Sequence, residues 1–232
     1  MLGHDWAGTI LYGLPPAMMK FLRPAAACAL ACLPIGVMHA SPAGAQEQMA
    51  VGASDQDHAL LERVEHHLDA ISLLKARFRQ TAPDGKQTTG TAWIDRANRR
   101  MRFEYDPPSP LLLVANHDQV VFNDSQLDQT TTMPMDKTPL GLLLRPRLQL
   151  SGDVTVTGLS HDGHMLNVTL VRTDSPGDGS MTLLFHDSPL RLRGWIIQDA
   201  QQETTRVDLL DASTGGPMPP DSLFSTDLPE KH

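Results

Sequence analysis

A chain of 232 residues, 41% hydrophobic and 20% charged, is long enough for one well-buried core and too short for several large domains. A formal charge of −8 without a lysine/arginine block, and only 5% aromatics, argue against nucleic acid, whose binders carry a basic face and often a stacking platform.

The chain opens with a leader. Lys20 and Arg23 precede the apolar run Pro24–Met38, and Ala43-Gly44-Ala45 places small residues at both cleavage subsites. That is the three-part layout of a secretory signal peptide. The run is shorter than the ~20 residues a membrane-spanning helix needs. The expected division is a leader over 1–45 (an upstream extension plus the signal peptide) and a single domain over 46–232. Met18 or Met19 is the better start, because "MMKFLRP" brings the positive residues to the front. Both cysteines, Cys28 and Cys32, fall in the leader, so a chain cut after Ala45 has no thiol for a disulfide or a metal site. If Cys32 were instead lipidated, the protein would be anchored to a membrane.

Residues 46 to 54 read as a lead-in. From Asp55 onward Leu60, Leu61, Val64, Leu68, Ile71 and Leu74 recur at three- and four-residue spacings, which predicts an amphipathic helix capped by Ser54 or Asp55. An extended segment follows around Ala76 to Ala82. Strands are then expected over Thr88–Asp95, Arg100–Tyr105, Pro110–Asn116, Gln119–Asn123 and Gln126–Thr131, joined by turns short enough for antiparallel neighbours. In "RRMRFEY", Met101, Phe103 and Tyr105 alternate with charged residues, the period of a strand with one apolar face. Leu111-Leu112-Leu113-Val114 hardly alternates, so both of its faces are apolar.

"KTPLGLLLRPRLQL" breaks the pattern. Thr138 can cap, Pro139 suits a first turn, and Leu140, Leu142, Leu143 and Leu144 make a short apolar helix. A second strand series is expected over Asp153–Leu159, His164–Thr173, Ser180–Asp187, Leu190–Gln198 and Thr204–Asp211, before a Pro/Gly-rich tail. The sum is a mainly β protein with helices (α+β): one long helix, about eleven antiparallel strands and one apolar helical insert. A sheet that long curls, and a curled sheet makes a trough across which helices can lie.

Catalytic motifs are missing. There is no Gly-x-Ser-x-Gly elbow, His-Glu-x-x-His, phosphate loop or dinucleotide fingerprint. His66 and His67 are adjacent on a helix and point apart; His161 and His164 flank a hairpin Asp-Gly. No catalytic residue, metal or cofactor is therefore expected.

The order of several short motifs carries a resemblance. Phe78-x-Gln80 follows the helix, then come Gly90, Trp93-Ile94 and Arg96, "RFEYDPPSPLLLVANHDQVVF", Leu127-Asp128-Gln129 and Thr138-Pro139-Leu140. Gly194-Trp195, Asp199, Thr205-x-Val207-x-Leu209 and Leu223-Phe224 complete it. From about Asp57 to Pro229 the chain resembles the periplasmic outer-membrane lipoprotein carriers (LolA-like proteins). The resemblance implies an unclosed antiparallel β-barrel of about eleven strands with a helical lid over an apolar cavity, and a monomeric, non-enzymatic periplasmic chaperone of lipoprotein transport. Its apolar cavity would take acyl chains of lipoproteins from an inner-membrane ATP-driven transporter and pass them to an outer-membrane receptor. The extra apolar surface of the sheet would then hold lipid.

The expected cavity wall is Met101, Phe103, Tyr105, Val120 and Phe122, with Leu166, Val168, Leu170, Leu183 and Phe185 across from them. The same residues would equally suit a dry, fully packed core. The expected lid is Leu140, Leu142, Leu143 and Leu144. The family's arginine, which stands in an Arg-Pro pair and bonds lid backbone, is matched by Arg96, with Ala97 in the proline's place; Arg99 or Arg100 are the other candidates, and solvated arginines on a hairpin the plain alternative. Three other functions fit: a LolB-like outer-membrane receptor, requiring a lipidated cysteine; a carrier of another lipid such as a glycolipid; and a secreted lipid hydrolase with a non-standard triad.

Overall fold

The computed structural model describes residues 55–227. The expected leader over 1–45, with Cys28, Cys32 and the Ala45 site, and the lead-in over 46–54 lie outside the described residues.

Helix α1 spans Asp55–Asp69 and buries Val64 and Leu68, with Asp55 and Asp57 in its first turn and His66 and His67 in its last, the charge order that suits the helix dipole. The helical spacing suggested a continuation through Ile71 and Leu74. Instead the helix stops: the Ala70 and Ile71 N–H groups bond back to the carbonyls of His66 and Leu68, and Leu74 belongs to strand β1, Leu73–Thr81. From Leu74 the period is two. Leu74, Ala76 and Phe78 are buried while Lys75, Arg77 and Arg79 are exposed. Three-residue spacing at one junction fits either element, and the strand's ladder to its two neighbours decides it.

The remaining strands are β2 (Gln87–Asp95), β3 (Arg100–Tyr105), β4 (Leu111–Asn116), β5 (Gln119–Asp124), β6 (Gln129–Pro134), β7 (Val154–Asp162), β8 (Met165–Arg172), β9 (Gly179–His186), β10 (Arg191–Asp199) and β11 (Thr204–Thr214). β6 starts later than the expected Gln126. The Asp124 carboxylate accepts the N–H groups of Gln126 and Leu127 at 2.9 and 3.1 Å, and Asp128 has φ 53°, so those residues form a turn.

All eleven strands form one antiparallel sheet in the order β6-β5-β4-β3-β2-β1-β11-β10-β9-β8-β7. Two meanders, β1–β6 and β7–β11, are joined through the β1–β11 pairing. β6 and β7 end the order without pairing to each other, so the barrel is unclosed. The segment over 135–153, with a 3-10 turn at Met135–Lys137 and helix α2 at Pro139–Leu143, runs from one free edge to the other.

The concave face is built in register rows. Leu74, Ile94, Met101, Ala115, Val120 and Met133 lie side by side across six strands. Ala76, Ala92, Phe103, Leu113 and Phe122 form the next row. Small residues leave room for large ones: a Cβ on Gly90 would sit 2.2 Å from the Glu104 carbonyl oxygen and 2.5 Å from the Phe78 ring. Across the seam, Val207, Trp195, Leu183 and Val168 continue the floor. Gly194, at φ 149° beside a bulge, lets β10 approach the Val207 carbonyl.

The double-faced run in β4 has a different origin from the lipid-holding one expected. Leu113 faces inward. Val114 and Val121, register partners on the convex face, are buried by the chain's own C-terminal segment: the 3-10 turn Asp221–Phe224 packs on β3 and β4. The Phe224 side chain is fully buried with the Arg100 guanidinium 4.4 Å from its ring centre, and the Phe224 carbonyl accepts from Asn116 Nδ2 at 2.9 Å. Arg100 in turn donates to Asp95 at 2.7 Å and Asp221 at 2.6 Å. That apolar face is internal packing.

Candidate functional site

An aromatic chain forms the floor of the trough. Tyr105 meets Phe78 edge-on at 5.1 Å, Phe78 meets Phe103 at 5.0 Å, and Phe103 meets Trp195 at 6.0 Å. Such tilted and T-shaped pairs add to simple area burial. Burial raises the Tyr105 pKa, so its hydroxyl stays protonated and donates to Gln80 Oε1 at 2.8 Å.

Two covers lie over the floor. α1 places His67 edge-on to Phe185 at 6.3 Å. The α2 segment begins where Thr138 caps the helix, its hydroxyl oxygen accepting from the Gly141 N–H at 3.2 Å, with Pro139 in the first turn. Leu142, Leu143, Leu144, Leu148 and Leu150 are buried, and Leu140 is half-buried. A five-residue helix has no stability of its own in water; this leucine face holds it down. Two α1 carboxylates tie the segment's far end, Asp69 accepting from the Leu148 N–H at 2.9 Å and Glu65 from that of Leu150.

Arg96 links both covers. It follows β2, is 6% exposed, and donates to the carbonyls of Leu143 at 3.0 Å, Arg145 at 2.6 Å and Leu68, and to Asp69 Oδ1 at 3.2 Å. Leu68 stands in the last turn of α1, and Leu143 ends α2 with Arg145 just beyond. One guanidinium thus collects carbonyls that two helix C-termini leave without intrahelical partners. The other two candidates stand elsewhere: Arg99 is exposed and paired with Asp118 at 2.9 Å, and Arg100 belongs to the C-terminal clamp.

Beneath α2 is a cavity of about 50 Å³, lined on its apolar side by Phe103, Val120, Phe122, Met133 and Leu140. Tyr105 also lines it, with Leu113, Gln80, Thr138, Trp195, Ile197, Thr205 and Val207. Of the expected wall, Phe103, Tyr105, Val120 and Phe122 are therefore brought together there. Met101 is buried in the neighbouring row. Leu166, Val168, Leu183 and Phe185 do not line this space; all four are fully buried, packed at the β8–β9 end where α1 crosses. Leu170 instead lines a separate open cleft of about 340 Å³ beside α2. In that cleft Arg145 pairs with Asp153 and Arg172 with Asp174, and the Arg172 bonds hold the Asp174 carboxyl down at about 2.

Sequence reasoning missed Gln80, Trp195, Ile197 and Val207 as lining, although strand alternation and the register across the β1–β11 seam put them on the concave face. It also missed Glu65 and Asp69 as ties, for which no local signal exists. His161 pairs with Asp187 at 3.0 Å, and His164 stacks on His186. Among the described residues no group of three His, Cys, Asp or Glu side chains is placed to hold a metal ion, and no helix is long and apolar enough to cross a membrane.

The chain is 32% identical over 115 residues to the outer-membrane lipoprotein carrier protein of Pseudomonas aeruginosa, a match covering 46% of this chain and 53% of that one; it thus spans about half the length of that relative. It is 26% identical over 207 residues to the corresponding protein of Chromohalobacter salexigens, covering 85% of this chain and 92% of that one. A solved LolA superfamily protein from Nitrosomonas europaea aligns with 72% of this chain and 97% of its own at 13% identity, with a TM-score of 0.39. The family model for the outer membrane lipoprotein carrier protein LolA matches residues 69–227, more than half of the chain, and the chain belongs to that family.

Proposed function

We propose that this protein is a periplasmic lipoprotein carrier: it shields the acyl chains of its cargo in the trough beneath α2, taking them from an inner-membrane ATP-driven transporter and delivering them to an outer-membrane receptor. Acyl chains cannot cross water unescorted, since each methylene is worth about 0.8 kcal/mol when buried. They pass readily between two apolar sites, so the carrier performs no bond chemistry; energy enters at the donor.

The observation that carries the proposal is the way the cover is fastened. α2 rests on apolar side chains that suit an alkyl chain equally well, and its backbone is held by Arg96. A cavity of about 50 Å³ is far below the roughly 300–1,000 Å³ of ordinary ligand pockets, so entry of an acyl chain requires the leucines of α2 to leave. An alkyl chain replaces their packing. The Arg96 bonds, each worth about 1.5–3 kcal/mol, are what the filled state loses, and their recovery on closing favours release.

The test is a two-step transfer assay with uptake from donor membranes and delivery to an acceptor measured separately. Phe122→Asp should weaken uptake, because a carboxylate in the apolar wall has to be desolvated. Arg96→Leu should retain uptake and lose delivery. Normal delivery by the Arg96 variant would remove the proposed role of the fastening, and normal uptake by Phe122→Asp would move the acyl site elsewhere.

A further inference from the structure

The cavity beneath α2 has a polar feature that hydrocarbon shielding does not use. Trp195 is 1% exposed, it lines the cavity, and its indole Nε1–H has no hydrogen-bond partner among the described residues. A buried donor without an acceptor is destabilising, and a phenylalanine in the same place would pack the floor without one. The rest of the lining contains neutral polar side chains, Gln80, Tyr105, Thr138 and Thr205, and no charged one. Tyr105 and Gln80 are bonded to each other.

Resting on the carrier proposal, the geometry points to a carbonyl subsite: Trp195 Nε1–H donates to the neutral carbonyl oxygen of an ester- or amide-linked acyl group, so that the trough selects acyl derivatives over both bare hydrocarbon and free carboxylate. In the closed structure Trp195 Nε1 is out of reach of a water-sized group, so an acceptor can meet it only with the acyl chain that displaces α2. An alkane offers no acceptor there. A carboxylate offers one, but as an anion it must shed its hydration in a cavity with no cation in its wall, which costs far more than one neutral hydrogen bond returns. An ester or amide carbonyl satisfies the donor and brings no charge. The subsite also sets depth: the carbonyl stops at Trp195, and the alkyl chain extends along Phe103, Val120 and Phe122 where Leu140 now sits.

The experiment compares three probes of similar length, methyl dodecanoate, tridecane and the dodecanoate anion, in binding to the full protein and in ¹H–¹⁵N spectra of the tryptophan indoles. The Trp195 resonance is identified by its loss in Trp195→Phe. The expected result is that the methyl ester binds about fivefold to tenfold more tightly than the alkane, as one neutral hydrogen bond implies, and exceeds the anion by more than that. The ester alone should shift the Trp195 indole proton downfield, and Trp195→Phe should lower ester affinity more than alkane affinity, collapsing the ratio. Equal affinities for ester and alkane, or an indole shift that the alkane reproduces, would overturn the subsite while leaving the carrier proposal standing. Failure of all three probes to bind would overturn both. The spectral test uses the unsubstituted protein and so survives a variant that folds poorly.

Discussion

The two ends of the trough are lined by the same kinds of side chain and differ in what covers them. At the β8–β9 end, Leu166, Val168, Leu183 and Phe185 are fully buried, and fifteen-residue α1 lies across with His67 against Phe185. At the β3–β5 end, Phe103, Val120 and Phe122 border a small cavity beneath five-residue α2, whose Leu140 is only half-buried. Under the proposed carrier function, the same apolar chemistry makes a permanent core at one end and a displaceable one at the other. The length of the covering element and the means of fastening decide which, and Arg96 holds the ends of both helices, so it couples the two regions.

The largest effect that would sharpen this contrast is expected from Phe185→Ala. Truncating a fully buried ring should cost about 3–5 kcal/mol in chemical denaturation, with acyl binding changed only through lost stability. A loss below 1 kcal/mol would mean that the α1 end is as loosely packed as the α2 end.

Leu140→Ala should cost about 1 kcal/mol or less, because the side chain is already partly exposed. It should also tighten binding of a fluorescent acyl probe, since less packing has to be displaced. Weaker binding would show that Leu140 stays in place and contacts the cargo.

The smallest effect concerns pH at the α1 end. Burial, and secondarily the neighbouring His66, push the His67 pKa below its ordinary 6.5. As pH falls through about 6.5, the unfolded chain takes up this proton before the folded one does. Stability is therefore lost on acidification from that point downward, until the lower folded value is reached. With His67 only partly buried and screened by solvent, the contribution is a fraction of a kcal/mol. His67→Gln should flatten the dependence of urea midpoint on pH between about 7.5 and 5.5, whereas His66→Gln on the exposed face of the same helix should alter it less. Equal slopes in the two variants would show that the α1 contact with Phe185 does not discriminate against the charged form.

Much of the architecture was legible because its signals are local. A period of two in "RRMRFEY", turn residues between short runs, and Thr138-Pro139 ahead of a leucine cluster mark elements that form from neighbours in sequence. They sufficed for eleven antiparallel strands and a short capped helix, and the order of motifs for the family. The helix-to-strand junction at Ile71–Leu74 was misread because both periods fit a few residues there.

Only the tertiary structure sorted the apolar faces. Val114 and Phe122 are equally apolar in sequence; one meets the C-terminal Phe224 segment and the other borders the cavity. Leu166 and Phe103 stand on equally alternating strands, under different helices. Arg96 in a hairpin turn looks like Arg99, yet one reaches Leu143 and Arg145 and the other pairs with the exposed Asp118. A side chain's chemistry states that it must leave water or find a partner. Which distant element meets it depends on pairings made far along the chain, and those exist only once the sheet has curled.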